Sequence, residues 1–310
     1  MRYCMGVDVG GTSVKLGLFE TEGKLLGKWE IPTRKENHGE QILPDVAASI
    51  LEKLEERKIR REDVAGVGMG IPAPVDSEGV VQQTANVGWG YKEVTRELSE
   101  LLDGMRVEAG NDANVAAMGE MWLGAGRGEK NVVMVTLGTG VGGGVIVNGH
   151  MIVGQHGAGG EIGHICVNRE EEDACGCGLH GCLEQYASAT GIAKLARKAL
   201  SGEHEETVLH GEPSAKDVFD AVKAGDALAT RIADEFGRYL GAALASLAVV
   251  VDPAVFVIGG GVSKAGPVLI PFVEKEFQKR AFFANKDTKI VLAELGNDAG
   301  ICGAARLILN

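Results

Sequence analysis

The sequence predicts an α/β chain of two lobes, and three observations carry that expectation. Short apolar, β-branched runs alternate with segments of helical period. One unit, a strand, a Gly-Thr turn and a second strand, occurs over residues 3–20 and again over 131–148, as an internal duplication with one copy per lobe would. The 310 residues also exceed what a single hydrophobic core usually supports.

Residues 3–9 are apolar, Gly10-Gly11-Thr12-Ser13 breaks the run, and residues 14–20 resume it. Thr21-Glu22-Gly23-Lys24 then turns the chain into 25–31, so three consecutive strands are expected. Ile42, Val46, Ile50 and Leu54 recur every four residues and predict a helix over 39–57. Residues 64–71 are a short apolar run stopped by Pro72, hence a strand. A strand over 105–109 leads through Asn111-Asp112 into a helix of small residues. The second unit has a strand over 131–137, a turn over 138–144 and a strand over 145–148, with Asn148-Gly149 as a hairpin signal. Helices are expected over 187–200 and 226–249, the latter with Gly241, Ala242, Ala243 and Ala245 for close packing. A buried strand over 255–258 precedes Gly259-Gly260-Gly261, another lies within 286–295, and a helix over 300–309 closes the chain. The lobe boundary is expected near 115. That gives an N-terminal lobe of 1–115, with the 300–310 helix packing back on it, and a larger lobe of 116–299.

A 45% hydrophobic and 24% charged composition is that of a globular protein. The 46 glycines gather in runs without a repeat, a pattern suited to backbone that approaches ligands. A formal charge of −12 disfavours nucleic acid and anionic membranes as partners. No apolar run is long enough to span a bilayer, and the first strand carries Asp8, so a cytoplasmic protein is expected. Cys4, Cys166 and Cys302 lie far apart and are expected to be free, buried thiols.

The remaining three of the six cysteines, Cys175, Cys177 and Cys182, share nineteen residues with His164. Three sulfurs and an imidazole suit zinc in a closed tetrahedron, and the spacing C-x-C-x4-C is not that of a common zinc finger. The loop over 164–184 is therefore a candidate structural zinc site.

Glycine turns that follow strands expose backbone N–H groups and form anion-binding concavities. Gly10, Gly11 and Thr12 make one such turn, behind Asp8, whose carboxylate is placed to hold Mg²⁺ or its water. Neither turn has the G-x-x-x-x-G-K-[ST] pattern, so a P-loop is not indicated. Asp112 admits two readings: an N-cap, or a carboxylate aimed at a substrate hydroxyl.

Five motifs, in order along most of the chain, resemble the ROK family of sugar kinases and sugar-responsive repressors. They are Asp8-Val-Gly-Gly-Thr12, Asn111-Asp112-Ala-Asn, Leu137-Gly-Thr-Gly-Val-Gly-Gly-Gly144, Gly160-Glu161-Ile-Gly-His164 and Cys175-x-Cys177-Gly-x-x-Gly-Cys182-x-Glu184. One departure is visible: Ala73 stands in Gly70-Ile71-Pro72-Ala73-Pro74 where the family usually has glycine. The resemblance implies an actin-like ATPase (ribonuclease H-like) fold with the active site in the cleft between the lobes. It implies ATP-dependent phosphorylation of a hexose 6-hydroxyl, with Asp112 as the base. D-glucose is the first expectation and an N-acetylhexosamine or another hexose the alternative. Gly10, Gly11, Thr12, Gly138, Thr139 and Gly140 would line the phosphates of Mg-ATP, and Gly259, Gly260 and Gly261 would approach the adenosine. Asn86, Asn111, Asp112, Glu161, His164 and Glu184 would contact the sugar, with His164 also a zinc ligand beside the three cysteines. A homodimer or a dimer of dimers is implied as well. The repressors of the family carry an added N-terminal DNA-binding domain, and here the first strand begins at residue 3, so the kinase branch is expected. A zinc-stabilised scaffold would not require Asp112 together with both phosphate turns.

Overall fold

A computed structural model of the chain describes residues 1–84, 86–202 and 206–309. Among these the chain forms β1 (Tyr3–Val9), β2 (Ser13–Glu20), β3 (Leu25–Pro32), a short turn of helix α1 (Glu36–Gly39), α2 (Ile42–Glu56), β4 (Val64–Ile71), β5 (Val80–Val81), β6 (Lys92–Glu93), α3 (Val94–Leu101), β7 (Val107–Asn111) and α4 (Asp112–Leu123). It continues through β8 (Val132–Leu137), β9 (Val141–Val147), β10 (His150–Met151), α5 (Glu184–Ala187), α6 (Ala189–Leu200), α7 (Ala215–Lys223) and α8 (Ala227–Val251). The last elements are β11 (Val255–Gly259), α9 (Ile270–Arg280), β12 (Lys289–Leu292) and α10 (Ala299–Leu307). Two five-stranded sheets have the orders β3-β2-β1-β4-β7 and β10-β9-β8-β11-β12. No helix among the described residues is long and apolar enough to cross a membrane.

The chain divides into two compact units: Met1–Lys130 with Gly144–Gly160 and Glu294–Asn310, and Asn131–Gly143 with Glu161–Ala293. The expected boundary at 115 falls inside α4, which stays whole in the first unit. The reason is α10, which lies along α4 with backbone against backbone. A Cβ on Gly303 would sit 1.6 Å from the Val115 carbonyl oxygen, and one on Gly119 would sit 2.3 Å from that of Ala299.

In the first unit, β1 pairs antiparallel with β2 and parallel with β4, setting Val7 beside Leu16 and Met69. The period of two along β1 assigns each residue a face. Met5, Val7 and Val9 join the core built from Ile42, Val46 and Ile50 of α2 and Leu98 of α3. Cys4, Gly6 and Asp8 alternate with them. Cys4 packs with Ile301, Cys302 and Ala305 of α10, and a Cβ on Gly6 would lie 1.9 Å from the Ile301 carbonyl oxygen. Gly68 of β4 makes the same approach to Ala304 at 1.8 Å, so α10 seats directly on bare sheet backbone. The buried Glu120 accepts the N–H groups of Ala125 (2.9 Å), Glu294 (3.2 Å) and Leu295 (2.9 Å), and so ties the end of α4 to the start of the final segment.

In the second unit, β8, β11 and β12 run parallel, with Phe256 beside Val133 and Ile290. The long helix α8 starts at Asp226, whose carboxylate accepts the Ala229 N–H at 2.8 Å. It packs on α9 through Gly237 and Gly241, where a Cβ would meet the Phe272 and Val273 carbonyl oxygens at 2.3 and 2.5 Å.

Three local expectations are corrected. The turn expected over 138–144 ends at Gly140, closed by the Gly138 N–H on the Gly140 carbonyl at 2.9 Å, and β9 begins at Val141. Gly144 is a strand residue kept bare by α4, since a Cβ there would lie 2.5 Å from that of Ala117. The helix expected over 187–200 begins at Ala189, because Ser188 is extended and its hydroxyl caps α6 at the Gly191 N–H; Glu184 lies on the preceding turn α5. The helix expected from 39 begins at Ile42, because Gly39 holds a left-handed φ of 69° and cannot start it.

Replacing Gly303 with alanine puts a methyl group inside the α4–α10 contact, with backbone on both sides and nothing flexible to yield. Urea denaturation of Gly303→Ala is expected to show a loss of about 3 kcal/mol; an unchanged midpoint refutes the close packing.

Candidate functional site

In the first unit the candidate residues gather at one end of the sheet. Asp8 sits near the end of β1, and the Gly10 N–H reaches the Ser13 carbonyl at 3.0 Å to close the glycine turn. Thr33 anchors that turn from the next segment, its hydroxyl donating to the Gly10 carbonyl at 2.7 Å and its N–H to that of Thr12 at 3.0 Å. Asn86 lies over the turn: a Cβ on Gly11 would be 3.7 Å from the Asn86 Cβ and 3.6 Å from Lys35 Nζ. Lys35 was not a candidate from sequence. Its only signal there is its place two residues beyond Thr33, which cannot be recognised before the turn contact is known.

Asn111, not Asp112, caps α4. Its Oδ1 accepts the N–H groups of Ala113 (3.0 Å) and Asn114 (3.3 Å), and its Nδ2 donates to the Ala73 carbonyl at 3.3 Å. The capping reading of Asp112 is thereby corrected. Asp112 is the first residue of the helix, where the positive end of the dipole favours its charge, and its Oδ1 accepts the Ala113 N–H at 2.8 Å. Ala73 is buried, is absent from the positive-φ residues and accepts that Asn111 contact, so alanine in place of the family's glycine fits without strain.

Burial raises the Asp8 pKa above its usual range; nearby Lys15 opposes the shift and the Asp112 charge adds to it. Gly300 at the start of α10 packs against this carboxyl, since a Cβ there would lie 2.5 Å from the Asp8 carboxyl carbon.

In the second unit, the donor atoms of His164, Cys175, Cys177 and Cys182 all lie within 4.8 Å of one another. The Cys177 and Cys182 sulfurs are 3.7 Å apart, and Cys175 Sγ is 3.9 Å from His164 Nδ1. Two sulfurs on a tetrahedral zinc with bonds of about 2.3 Å stand about 3.8 Å apart, so the donor set fits that ion. The loop is braced by Gln185, which accepts the Cys182 N–H at 3.0 Å and donates to the Asp173 carbonyl at 2.9 Å. Tyr186 adds a hydrogen bond to Glu171 at 2.5 Å, accepts one from Asn168 at 2.8 Å and stacks on Tyr239 of α8. Sequence reasoning missed both braces, because neither belongs to the metal-ligand spacing.

Glu184 joins the His164–cysteine cluster to the second glycine turn. Its Oε2 accepts the Val141 N–H at 2.9 Å, and its Oε1 lies 3.6 Å from the Cys175 thiol. Gly140 is the residue that permits this, as a Cβ there would be 2.1 Å from Oε2. The same turn is held from α6, where the Ala189 N–H donates to the Gly138 carbonyl and the Thr190 hydroxyl to that of Thr139, both at 2.8 Å. Gly260, at φ 82°, passes the end of β8, where a Cβ would be 2.5 Å from the Leu137 carbonyl oxygen. Beside it is a cavity of about 360 Å³ lined by Ala189, Ser214, Phe219, Gly261, Val262 and Ala265. Glu161 is exposed and stands three residues before His164. Cys166, expected to be buried, is exposed, on a loop segment whose pairing here is an isolated antiparallel bridge to Cys182.

A model of the ROK family matches residues 4–310. The glucokinase of Halalkalibacterium halodurans is 42% identical over 99% of this chain and 95% of its own length. That of Thermotoga maritima is 38% identical over 98% and 96%. Among solved structures, a ROK family glucokinase from Streptomyces griseus in complex with glucose and AMPPNP aligns with a TM-score of 0.73 at 32% identity, covering 98% of both chains.

A carboxyl whose pKa rises on folding keeps its proton to higher pH in the folded state than in the unfolded chain. Stability therefore falls as pH climbs from the ordinary value of 3.8 through the raised one. Asp8→Asn removes that penalty. In metal-free buffer the variant is expected to melt above the wild type at pH 7, the two converging below pH 3.8; a lower melting point at pH 7 refutes the buried-charge account.

Proposed function

The chain belongs to the ROK family, and on that premise we propose that it transfers the γ-phosphoryl group of ATP to the 6-hydroxyl of D-glucose. The observation that carries the mechanism is the division of labour at the start of α4: Asn111 closes the helix, and Asp112 holds a carboxylate beside it. Asp112 takes the proton of the sugar 6-hydroxyl as that oxygen attacks the γ-phosphorus. The bond to the bridging oxygen breaks, and ADP leaves with its electron pair. Little covalent chemistry is asked of the protein, so positioning and charge neutralisation carry the rate.

The turns at Gly10-Gly11-Thr12 and Gly138-Thr139-Gly140 present backbone N–H groups to the phosphates, with the Lys35 ammonium beside the first turn. Gly260, Gly261 and the adjoining cavity take the nucleoside. Asp8 would hold Mg²⁺ or its water: hard oxygen donors suit that ion, and a buried carboxyl with a raised pKa is stabilised in its charged form by a cation.

Glu161, His164 and Glu184 read the sugar hydroxyls, together with Asn86 and the second Nδ2 hydrogen of Asn111. His164, Cys175, Cys177 and Cys182 would hold zinc, which supplies structure and no catalytic water, because four protein ligands leave no open position. The metal state also decides what Glu184 can do. A protonated Cys175 offers its hydrogen to Oε1, whereas a ligating thiolate carries none and leaves Oε1 to accept from a sugar hydroxyl. With one His164 nitrogen on the metal, the other can only donate, which fixes its partner as a sugar oxygen.

A coupled ADP-release assay over a hexose panel tests the activity: turnover is expected with glucose, and bound Mg-ATP without turnover on any sugar would overturn it. Asp112→Asn is expected to lower kcat by about 10²–10⁴-fold with glucose affinity largely kept; near-normal kcat rules Asp112 out as the base. Purified protein is expected to contain about one zinc per chain. Its chelation should raise KM for glucose well before KM for ATP, and an equal rise in both would refute the link from the cluster through Glu184 to the sugar.

A further inference from the structure

Among the three cysteines outside the cluster, Cys166 alone is open to solvent, Cys4 and Cys302 being buried. Cys166 faces Cys182 across an isolated antiparallel bridge. The hydrogen bonds that frame the pair run from the Val167 N–H to the Gly181 carbonyl at 2.7 Å and from the Leu183 N–H to the Ile165 carbonyl at 2.9 Å. The two cysteines are thus a non-hydrogen-bonded pair. In such a pair the Cα atoms stand about 4.5 Å apart and both side chains leave the same face. That separation lies within the span of a disulfide, about 4.4–6.8 Å. Cys182 is buried and is one of the four clustered donors, so of this pair an oxidant in solvent meets Cys166 first; the exposed Cys177, 3.7 Å from the Cys182 sulfur, is the competing partner.

We propose that Cys166 and Cys182 form a reversible disulfide under hydrogen peroxide, and that this bond removes a donor from the metal cluster. The Cys166 sulfur attacks one peroxide oxygen, the O–O bond breaks, and the products are a Cys166 sulfenic acid and water. The Cys182 thiolate then attacks the Cys166 sulfur, the S–S bond forms, and the S–O bond breaks to release hydroxide. Two thiols lose two electrons and one peroxide becomes two waters, counting the protons. Three donors remain at the cluster, too few for a closed tetrahedral site. Cys182 is two residues from Glu184, so the change reaches a side chain tied to the Gly138–Gly140 turn. The metal-release half rests on the zinc reading above; the disulfide does not.

The test treats the purified holoprotein with excess hydrogen peroxide. Zinc release is followed with a chromogenic chelator, and cysteine pairing is mapped by mass spectrometry of a non-reducing digest. A Cys166–Cys182 peptide is expected to accumulate in step with zinc release, and dithiothreitol with added zinc should reverse both. Cys166→Ser should keep wild-type kinase activity and release zinc several-fold more slowly. A bond between Cys177 and Cys182 or Cys175 and Cys177 instead would overturn the proposal, as would equal release rates or oxidation of Cys166 that stops at the sulfinic acid. A preparation holding no zinc defeats the metal reading alone, since the linked peptide still decides the pairing.

Discussion

The first unit depends on one contact, the seating of α10 on bare backbone. Gly6 of β1, Gly68 of β4 and Gly119 of α4 each face an α10 carbonyl oxygen at a distance no side chain could enter. The helix thereby binds the sheet and α4 at once, and these carry the candidate carboxylates Asp8 and Asp112. Gly300 on its first turn covers Asp8, while Gly303 fixes the depth of α4 at Val115, one turn beyond Asp112. The same packing covers part of Asp8, and that burial raises its pKa. A carboxyl whose charge opposes folding is one that a bound cation would stabilise.

The second unit is organised around a smaller constraint, the two-sided engagement of Glu184. One oxygen holds the backbone of a glycine turn and the other meets a cysteine of the metal cluster. A loop rich in glycine has little rigidity of its own, and here Gln185, Tyr186 and the cluster brace it. A zinc ion held there would act on substrate through hydrogen-bond polarity: a ligated thiolate and a ligated imidazole would each lose a choice of role, and their neighbours would gain a defined one. The same economy creates an exposure. The bridge at buried Cys182 places a solvent-facing thiol, Cys166, opposite it.

Much of the fold was legible because burial imposes a period. The first three strands, the strand over 64–71 and the long helix expected over 226–249 stand where the apolar runs, their glycine and proline breaks and the helical pattern place them. The misreadings fall where one residue type serves two geometries. Gly142 to Gly144 look like turn residues, yet they continue a strand because a helix lies against Gly144. Asn111 and Asp112 are both good capping residues, and the choice of Asn111 depends on its second contact with Ala73. Ser188 sets the start of a helix expected two residues earlier, because its hydroxyl serves as the cap.

The sequence by itself determined the chemical inventory: four metal donors in one loop, two glycine turns behind strands, a carboxylate at a helix start and a family pattern in register. Residue identity and spacing are enough for that, since chelation and tight turns are local demands. Only the tertiary structure decided the roles. Which asparagine caps, which glutamate couples the metal loop to the turn, which lysine stands at the glycines and which cysteine meets solvent all depend on residues far apart in sequence. Those pairings are set by packing, which the linear order does not encode.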